Sequence, residues 1–187
     1  MGLRLGSAEG FVLAAKAASY FAVYQAKDNE KADWFGRAES AARRAIQIDA
    51  DNAEAYFELA RAQGRLSQYR GILESLGLAS SIKELRPNPR HAGAKAALAL
   101  WHHSLVSKNV GWLYGANGSQ IMPLFNEAIQ LEPQTIIHKV ELAGVLAAQG
   151  KKEEARRQYE AALSIAAKTA ADRYDLERVR RELAALR

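Results

Sequence analysis

The 187-residue sequence contains no cysteine, which excludes disulfides, thiolate metal sites and a cysteine nucleophile. It has only four prolines, and three of them (Pro87, Pro89 and Pro133) stand beside predicted helix ends. No apolar run reaches the length of a membrane span. No alternating apolar–polar run is flanked by turn residues, so the sequence offers no strand. Segments rich in good helix formers such as Ala, Leu, Glu and Lys instead predict an all-α domain.

The start of the sequence lacks a clear secretion signal. Its apolar stretch from Phe11 to Val23 is interrupted by Lys16 and has no small-residue cleavage site after it. We therefore expect residues 8–27 to form an amphipathic helix. The compartment stays open between the cytoplasm and, if a leader has been removed, the periplasm.

Charge of one sign is never concentrated in this sequence. The net charge is +5 and the pI is near 9.5, but no run of five like charges occurs. Pairs such as Glu153–Arg157 and Glu177–Arg181 are spaced four residues apart, as on the solvated face of a helix. Nucleic acid is therefore not expected as a partner, because it requires a continuous basic stripe.

What the sequence does contain is a repeat with a period of 34 residues. Two sets of positions share this spacing: Ile121, Phe125, Ala128 and Pro133, followed by Ala155, Tyr159, Ala162 and Ala167. The alanines allow two helices to approach closely, and the aromatic residue three positions earlier fills the space between units. A period of this length is typical of helix–turn–helix units, which bury their apolar faces only by stacking on neighbours.

Helical periodicity and turn residues predict nine helices, at 8–27, 31–48, 53–64, 68–85, 91–107, 119–131, 135–148, 152–167 and 172–186. Pairing them gives one domain, residues 1–187, with units at about 8–50, 51–88, 89–133 and 134–168 and a capping helix at 170–187. The equivalent positions Ala96 and Leu142 are 46 residues apart, twelve more than the period. We place the excess in an inserted loop, residues 107–118, which carries Trp112 and Tyr114.

Several segments are similar to a divergent group of tetratricopeptide repeat (TPR) proteins: Ala99–Val106 with its Trp-His pair, Gly111-Trp112, Tyr114–Ala116 and Phe125–Pro133. This group includes bacterial proteins of unassigned role and the regulator of microtubule dynamics proteins of animals. The resemblance covers most of residues 36–187 and implies a right-handed α-solenoid that serves as an adaptor. It implies no microtubule role, because no residue here is tied to tubulin chemistry.

The candidate chemical groups do not form a catalytic or metal-binding pattern. His102 and His103 are adjacent on a predicted helix, so their side chains point roughly 100° apart. His91 and His138 belong to other units, and no His-Glu-x-x-His spacing occurs. Gly115–Gly118 lacks the Gly-Lys-Ser/Thr sequence of a phosphate-binding loop. We expect no enzyme activity, no cofactor and no metal.

The inner surface of the stack is the strongest candidate for function, since the first helix of each pair lines it. Projecting the helical period gives the groove residues Phe57, Arg61, Arg65, His91, Leu98, Trp101, His102 and Val140. Arg61 and Arg65 share one helix face and can both reach an anion. We therefore expect a non-catalytic scaffold that binds a protein partner through a peptide or helix with a hydrophobic anchor and a nearby carboxylate.

Other interpretations remain open at this point. Trp101 and Phe57 are either groove residues or core residues. Trp112 and Tyr114 either fill the groove or form an exposed aromatic patch for self-association. A second interpretation is a homo-oligomer in which a neighbouring copy of the chain occupies the groove. A third interpretation is a small-molecule-binding protein, which requires a closed pocket near Trp101, His102 and Trp112.

Overall fold

A computed structural model describes residues 6–70 and 91–186 of the protein. These ranges contain helices and no strand, so the all-α prediction is confirmed there. The α-helices are α1 (Ala8–Tyr24), α2 (Lys31–Ile48), α3 (Ala53–Arg70), α4 (Ala92–Ser107), α5 (Gly111–Tyr114), α6 (Ile121–Leu131), α7 (Ile136–Ala148), α8 (Lys152–Leu163) and α9 (Ala170–Ala185). A single 3₁₀ turn, Gly118–Gln120, precedes α6. The predicted helix 68–85 lies outside the described residues from residue 71 onward, and so does the predicted turn at 87–89.

The chain divides into two compact units, Met1–Ala97 and Leu98–Arg187. In the first unit, α1 packs on α2 and on α3, and α2 packs on α3. One layer of its core consists of Ala15, Ala42 and Leu59, one residue from each helix. A second layer consists of Ala22, Phe35 and Leu66. Small residues at the contact positions bring the helices close, which the alanine-rich pattern requires. The finer division into four repeat units stays a prediction.

Local sequence explains where helices of the first unit begin and end. Ser7 caps α1 by accepting a hydrogen bond of 3.1 Å from the Gly10 N–H, and Asn52 accepts one of 3.0 Å from Ala55. The sequence predicted a helix end at Gly64, but α3 continues to Arg70. Because Leu66 is fully buried against the neighbouring helices, its packing outweighs the helix penalty of about 1 kcal/mol for one glycine.

The second unit contains the 34-residue repeat in the register that the sequence predicts. Within it, α6 packs on α7, α7 packs on α8, and α9 contacts both α7 and α8. The repeat positions of α6 and α8 are all buried: Ile121, Phe125, Ala128, Ala155, Tyr159 and Ala162. The repeat therefore places equivalent residues in the core, as stacking requires.

The capping helix α9 is held by a polar network as well as by packing. The Tyr159 hydroxyl donates a hydrogen bond of 2.6 Å to Glu182 Oε2. Burial and this hydrogen bond raise the pKa of the Tyr159 hydroxyl above its usual value. Arg178 donates to Glu182 over 2.7 Å and to Glu141 of α7 over 3.0 Å. Thr169 and Asp172 form a capping box, which starts the helix two residues earlier than predicted.

No helix in the described ranges is both long enough and apolar enough to cross a bilayer.

Candidate functional site

The predicted groove residues are divided between the two units and differ in exposure. In the first unit, Phe57, Arg61, Arg65 and His91 are all partly exposed. In the second unit, Leu98 is half-buried. The other three residues are buried, with exposed fractions of 4% for Trp101, 8% for His102 and 0% for Val140. The buried three are core residues in this structure. Their role in a groove stays a prediction, and it requires them to become exposed.

His91 joins the start of α4 to α3. Its Nδ1 accepts a hydrogen bond of 3.1 Å from the Ala94 N–H, so the ring caps the helix. Its Nε2 therefore carries the hydrogen and donates over 2.8 Å to Glu54 Oε2. This hydrogen bond lowers the pKa of the Glu54 carboxyl. The His91 ring also packs on Phe57, with 4.8 Å between ring centroids.

Arg61 lies between two aromatic rings. Its Cζ is 5.0 Å from the ring centroid of Tyr20 on α1 and 5.8 Å from that of Phe57 on α3. Both positions are within the range of a cation–π contact. Its side chain remains 24% exposed. The sequence did not indicate Tyr20 as a site residue, because none of the predicted groove residues lies on α1.

Glu58 lies behind Arg61 and has no exposed surface. Its Oε2 is 2.5 Å from Arg61 Nη2, which makes an ion pair by distance. The geometry of this contact does not satisfy a hydrogen bond. Among the described residues, no hydrogen-bond partner is found for either carboxylate oxygen of Glu58, nor for Nε and Nη2 of Arg61. Burial raises the pKa of the Glu58 carboxyl to about 7, and the attraction of Arg61 only partly offsets this.

We expect Glu58→Gln to be more stable than the wild type at pH 8 and about equal to it at pH 4. The native carboxyl binds its proton more tightly than the unfolded one, so raising the pH from about 4.5 to about 7 lowers the free energy of unfolding. The full shift corresponds to about 3 kcal/mol, and we expect glutamine to recover about 1–3 kcal/mol. Urea unfolding across this pH range measures the difference. Glu160→Gln, the same change at an exposed site, is the control, and an equal response of both variants contradicts the account.

Gly93 allows α4 to approach the Phe57 ring. A Cβ atom at this position would lie 2.8 Å and 2.9 Å from two ring carbons of Phe57 and 3.3 Å from His91 Cε1. The ring itself is confined by its contacts with His91 and Arg61. Gly93 is thus part of the geometry that aligns the two aromatic side chains.

Gly93→Ala is therefore expected to destabilise the protein by about 1–2 kcal/mol. Overpacking costs about 1–3 kcal/mol, and the better helix propensity of alanine returns up to about 1 kcal/mol. Gly144→Ala is the matched control, since its Cβ would meet nothing closer than Arg178 Nη2 at 4.0 Å. Urea unfolding should show a loss for the first variant and no loss for the second. Equal stability of the two variants would contradict the close approach at Gly93.

A cleft of 340 Å³ in the first unit opens next to Glu54, the hydrogen-bond partner of His91. Its lining combines apolar residues with charges of both signs: Glu9, Val12, Leu13, Lys16, Asn52 and Glu54. A second, wider cleft on α2 has mostly polar walls: Asp33, Gly36, Arg37, Glu39 and Ser40. Neither includes Trp101 or His102. The first cleft therefore places the apolar side chains of Val12 and Leu13 close to the Glu54–His91 contact.

In the second unit, His102 fixes the insertion. The Asn117 N–H donates a hydrogen bond of 3.0 Å to His102 Nδ1, and the ring packs on Trp101 with 4.9 Å between centroids. Burial lowers the pKa of the His102 imidazole, which favours the neutral form that can accept this bond. His102 thus has a structural partner in this conformation.

The insertion, residues 107–118, is more ordered than the loop that the sequence predicts. It contains the one-turn helix α5, which ends at Gly115 in the left-handed conformation with φ 71°. Trp112 is 79% exposed and Leu113 is 54% exposed, while Tyr114 is half-buried. The insertion therefore presents two large apolar side chains to solvent on a short helix.

No group of three metal-ligating side chains occurs in residues 6–70 and 91–186. His91, His102 and His138 each belong to a separate contact.

The comparisons with known proteins bear on the fold. No family model matches the sequence, and no curated protein is similar enough to count as a relative. Among solved structures, the chain is similar to TTC0263, a thermophilic TPR protein of Thermus thermophilus, with a TM-score of 0.60 and 18% identity. That match covers 91% of this chain and 83% of TTC0263.

A second similar structure is YrrB, described as a TPR protein with an unusual peptide-binding site. The identity is 19% over 96% of this chain and 88% of YrrB, with a TM-score of 0.44. The narrower resemblance to the regulator of microtubule dynamics proteins is not confirmed by these comparisons. The buried 34-residue register and the similarity to TTC0263 together show that the chain has the tetratricopeptide-repeat fold.

Proposed function

We propose that the protein is a non-catalytic interaction module that binds a peptide segment of a partner protein at the Arg61 site. We define this site by Tyr20 of α1, Phe57 and Arg61 of α3, and His91 at the start of α4. The single observation that carries the proposal is the position of Arg61, a partly exposed cation between two aromatic rings. The two rings stabilise the guanidinium at this position through cation–π contacts.

The chemistry of the Arg61 site favours a ligand with a carboxylate. The Nε–Nη2 edge of a guanidinium is the edge that binds a carboxylate side-on, and in Arg61 this edge has no hydrogen-bond partner among the described residues. Both nitrogens are buried and Nη2 faces Glu58, so binding a carboxylate requires the outer torsions of this side chain to turn the edge toward solvent. Arg65 and Lys16, both partly exposed, supply further positive charge nearby, whereas Glu54 is already engaged by His91.

The surroundings of Arg61 favour an apolar side chain next to that carboxylate. The rings of Tyr20 and Phe57 give flat apolar surface, and the neighbouring cleft adds Val12 and Leu13, of which Leu13 is 51% exposed. Burying one aliphatic or aromatic side chain contributes about 1.5–3 kcal/mol. A short peptide with an apolar residue beside a carboxylate therefore meets both parts of the site.

A peptide-display selection tests this proposal. The library has two arms. Peptides of the first arm are random and end in a free carboxylate. Peptides of the second arm end in an amide and carry Asp or Glu at internal positions. We expect the selected peptides to share an apolar residue next to a carboxylate, and the two arms distinguish a terminal carboxylate from an acidic side chain. Selection of basic peptides, or of none, would overturn the proposal.

Self-association through the insertion is a second candidate function, favoured by the exposure of Trp112 and Leu113. Exposed pairs of large apolar side chains on an ordered turn are typical of interaction sites. Sedimentation velocity over a hundredfold range of protein concentration tests it. A concentration-dependent increase in size that is lost in Trp112→Ala supports self-association, and a monomer at all concentrations excludes it.

A further inference from the structure

We infer that binding of a carboxylate at Arg61 is coupled to uptake of one proton by Glu58. This inference rests on the proposed function, because it describes how the same site is regulated. It makes the affinity for the peptide depend on pH near neutrality. The protein would then release its partner as the pH rises.

The inference starts from the surroundings of Glu58. The carboxyl has no exposed surface and makes no hydrogen bond among the described residues, so Arg61 at 2.5 Å is its nearest counter-charge. The other charged or titratable groups that act on it are Lys16 from α1, Glu54 from α3 and His91 from the start of α4. Glu54 opposes ionisation of Glu58, and Arg61 and Lys16 favour it.

A ligand carboxylate changes this balance in one direction. It draws the guanidinium of Arg61 toward itself and away from Glu58, and it adds a negative charge within the same site. Both effects disfavour an ionised Glu58, which cannot be rehydrated because it is buried. The carboxylate of Glu58 therefore takes a proton from solution and becomes a neutral carboxylic acid, and no other bond is made or broken.

The direction of the pH dependence follows from linkage. In the free protein the pKa of Glu58 is about 7, and ligand binding raises it further. Below about pH 6 the carboxyl is protonated in both states, and the affinity does not depend on its titration. Above about pH 7 each binding event requires a proton, so the affinity falls by up to about tenfold per pH unit until the pKa of the bound state is reached.

Isothermal titration calorimetry measures the proton directly. The best peptide from the selection is titrated at pH 7.8 in phosphate and in Tris, whose ionisation enthalpies differ. We expect uptake of about 0.5–1 proton per peptide for the wild type and none for Glu58→Gln. At pH 8 the variant should also bind several-fold more tightly than the wild type, and at pH 6 the two should be about equal.

The outcomes separate this inference from the proposed function. Peptide binding without proton uptake, or with the same uptake in Glu58→Gln, overturns the inference and leaves the binding site intact. Failure of the wild type to bind any peptide overturns both. If Glu58→Gln does not fold, the ¹³C shift of the Glu58 carboxyl in the wild type is titrated with and without peptide. A pKa that does not rise on binding then overturns the inference.

Discussion

Replacing Arg61 by glutamine is expected to weaken peptide binding at the Arg61 site by about 10–100-fold. A charge-assisted hydrogen bond to a carboxylate contributes about 1.5–3 kcal/mol, and each 1.4 kcal/mol is a factor of ten in affinity. Glutamine keeps part of the side-chain length but removes the charge and the planar edge that binds a carboxylate side-on. Fluorescence anisotropy with a labelled peptide from the selection measures the loss.

The Arg61→Gln substitution also changes the environment of Glu58, and this effect must be separated from the effect on peptide affinity. Loss of Arg61 leaves the buried carboxyl without its counter-charge, so the change is best made in the Glu58→Gln background. Arg44→Gln on the exposed surface of α2 is the matched control and should bind as its parent does. Equal affinity of the double variant and of Glu58→Gln would exclude Arg61 as the carboxylate ligand.

Truncation of Phe125 to alanine is expected to lower the free energy of unfolding by about 3–5 kcal/mol. Phe125 occupies the aromatic position of the 34-residue repeat in α6 and is fully buried. The change removes a ring and leaves a cavity that neighbouring helices cannot fill without moving. Urea unfolding followed by circular dichroism measures the loss.

Trp112→Ala provides the matched control for Phe125→Ala. It removes a larger aromatic side chain from the same unit, but Trp112 is 79% exposed, so we expect a change within about 0.5 kcal/mol. A similar loss of unfolding free energy in both variants would mean that Trp112 is buried in solution. A loss below about 1 kcal/mol for Phe125→Ala would contradict the repeat register.

The helical pattern predicts most of the fold because it is a local signal. Phe125 and Tyr159 stand 34 residues apart in the sequence and occupy equivalent buried positions in α6 and α8. Such equivalence follows from helical period and residue size, both of which are visible in the sequence. Helix ends are less certain: α8 ends at Leu163, four residues before the predicted end.

The candidate site is only partly visible in the sequence because its contacts join distant segments. The helical period places Phe57, Arg61 and His91 near a common surface, and these three do lie together. It does not reveal that Tyr20 of α1 lies over Arg61, nor that Glu58 is fully buried beneath it. The projection that selected Arg61 did not select Glu58, which lies about one turn earlier on α3 and is buried.

Exposure is the property that the sequence leaves open for aromatic residues. Trp101 and Trp112 are both apolar residues near the same predicted insertion, yet they are 4% and 79% exposed. Periodicity states which face of a helix a residue occupies, but other helices decide whether that face is covered. This is why the sequence did not decide between groove and core for Trp101.

The most direct test of the central claim is to locate the bound peptide by NMR. The selected peptide is added to ¹⁵N-labelled protein, and the side-chain Nε–Hε signal of Arg61 is followed together with the backbone amides. Our account predicts that this signal shifts and that the largest amide shifts surround Tyr20, Phe57 and His91. Shifts confined to residues 107–118, with Arg61 unchanged, would contradict it and assign recognition to the insertion.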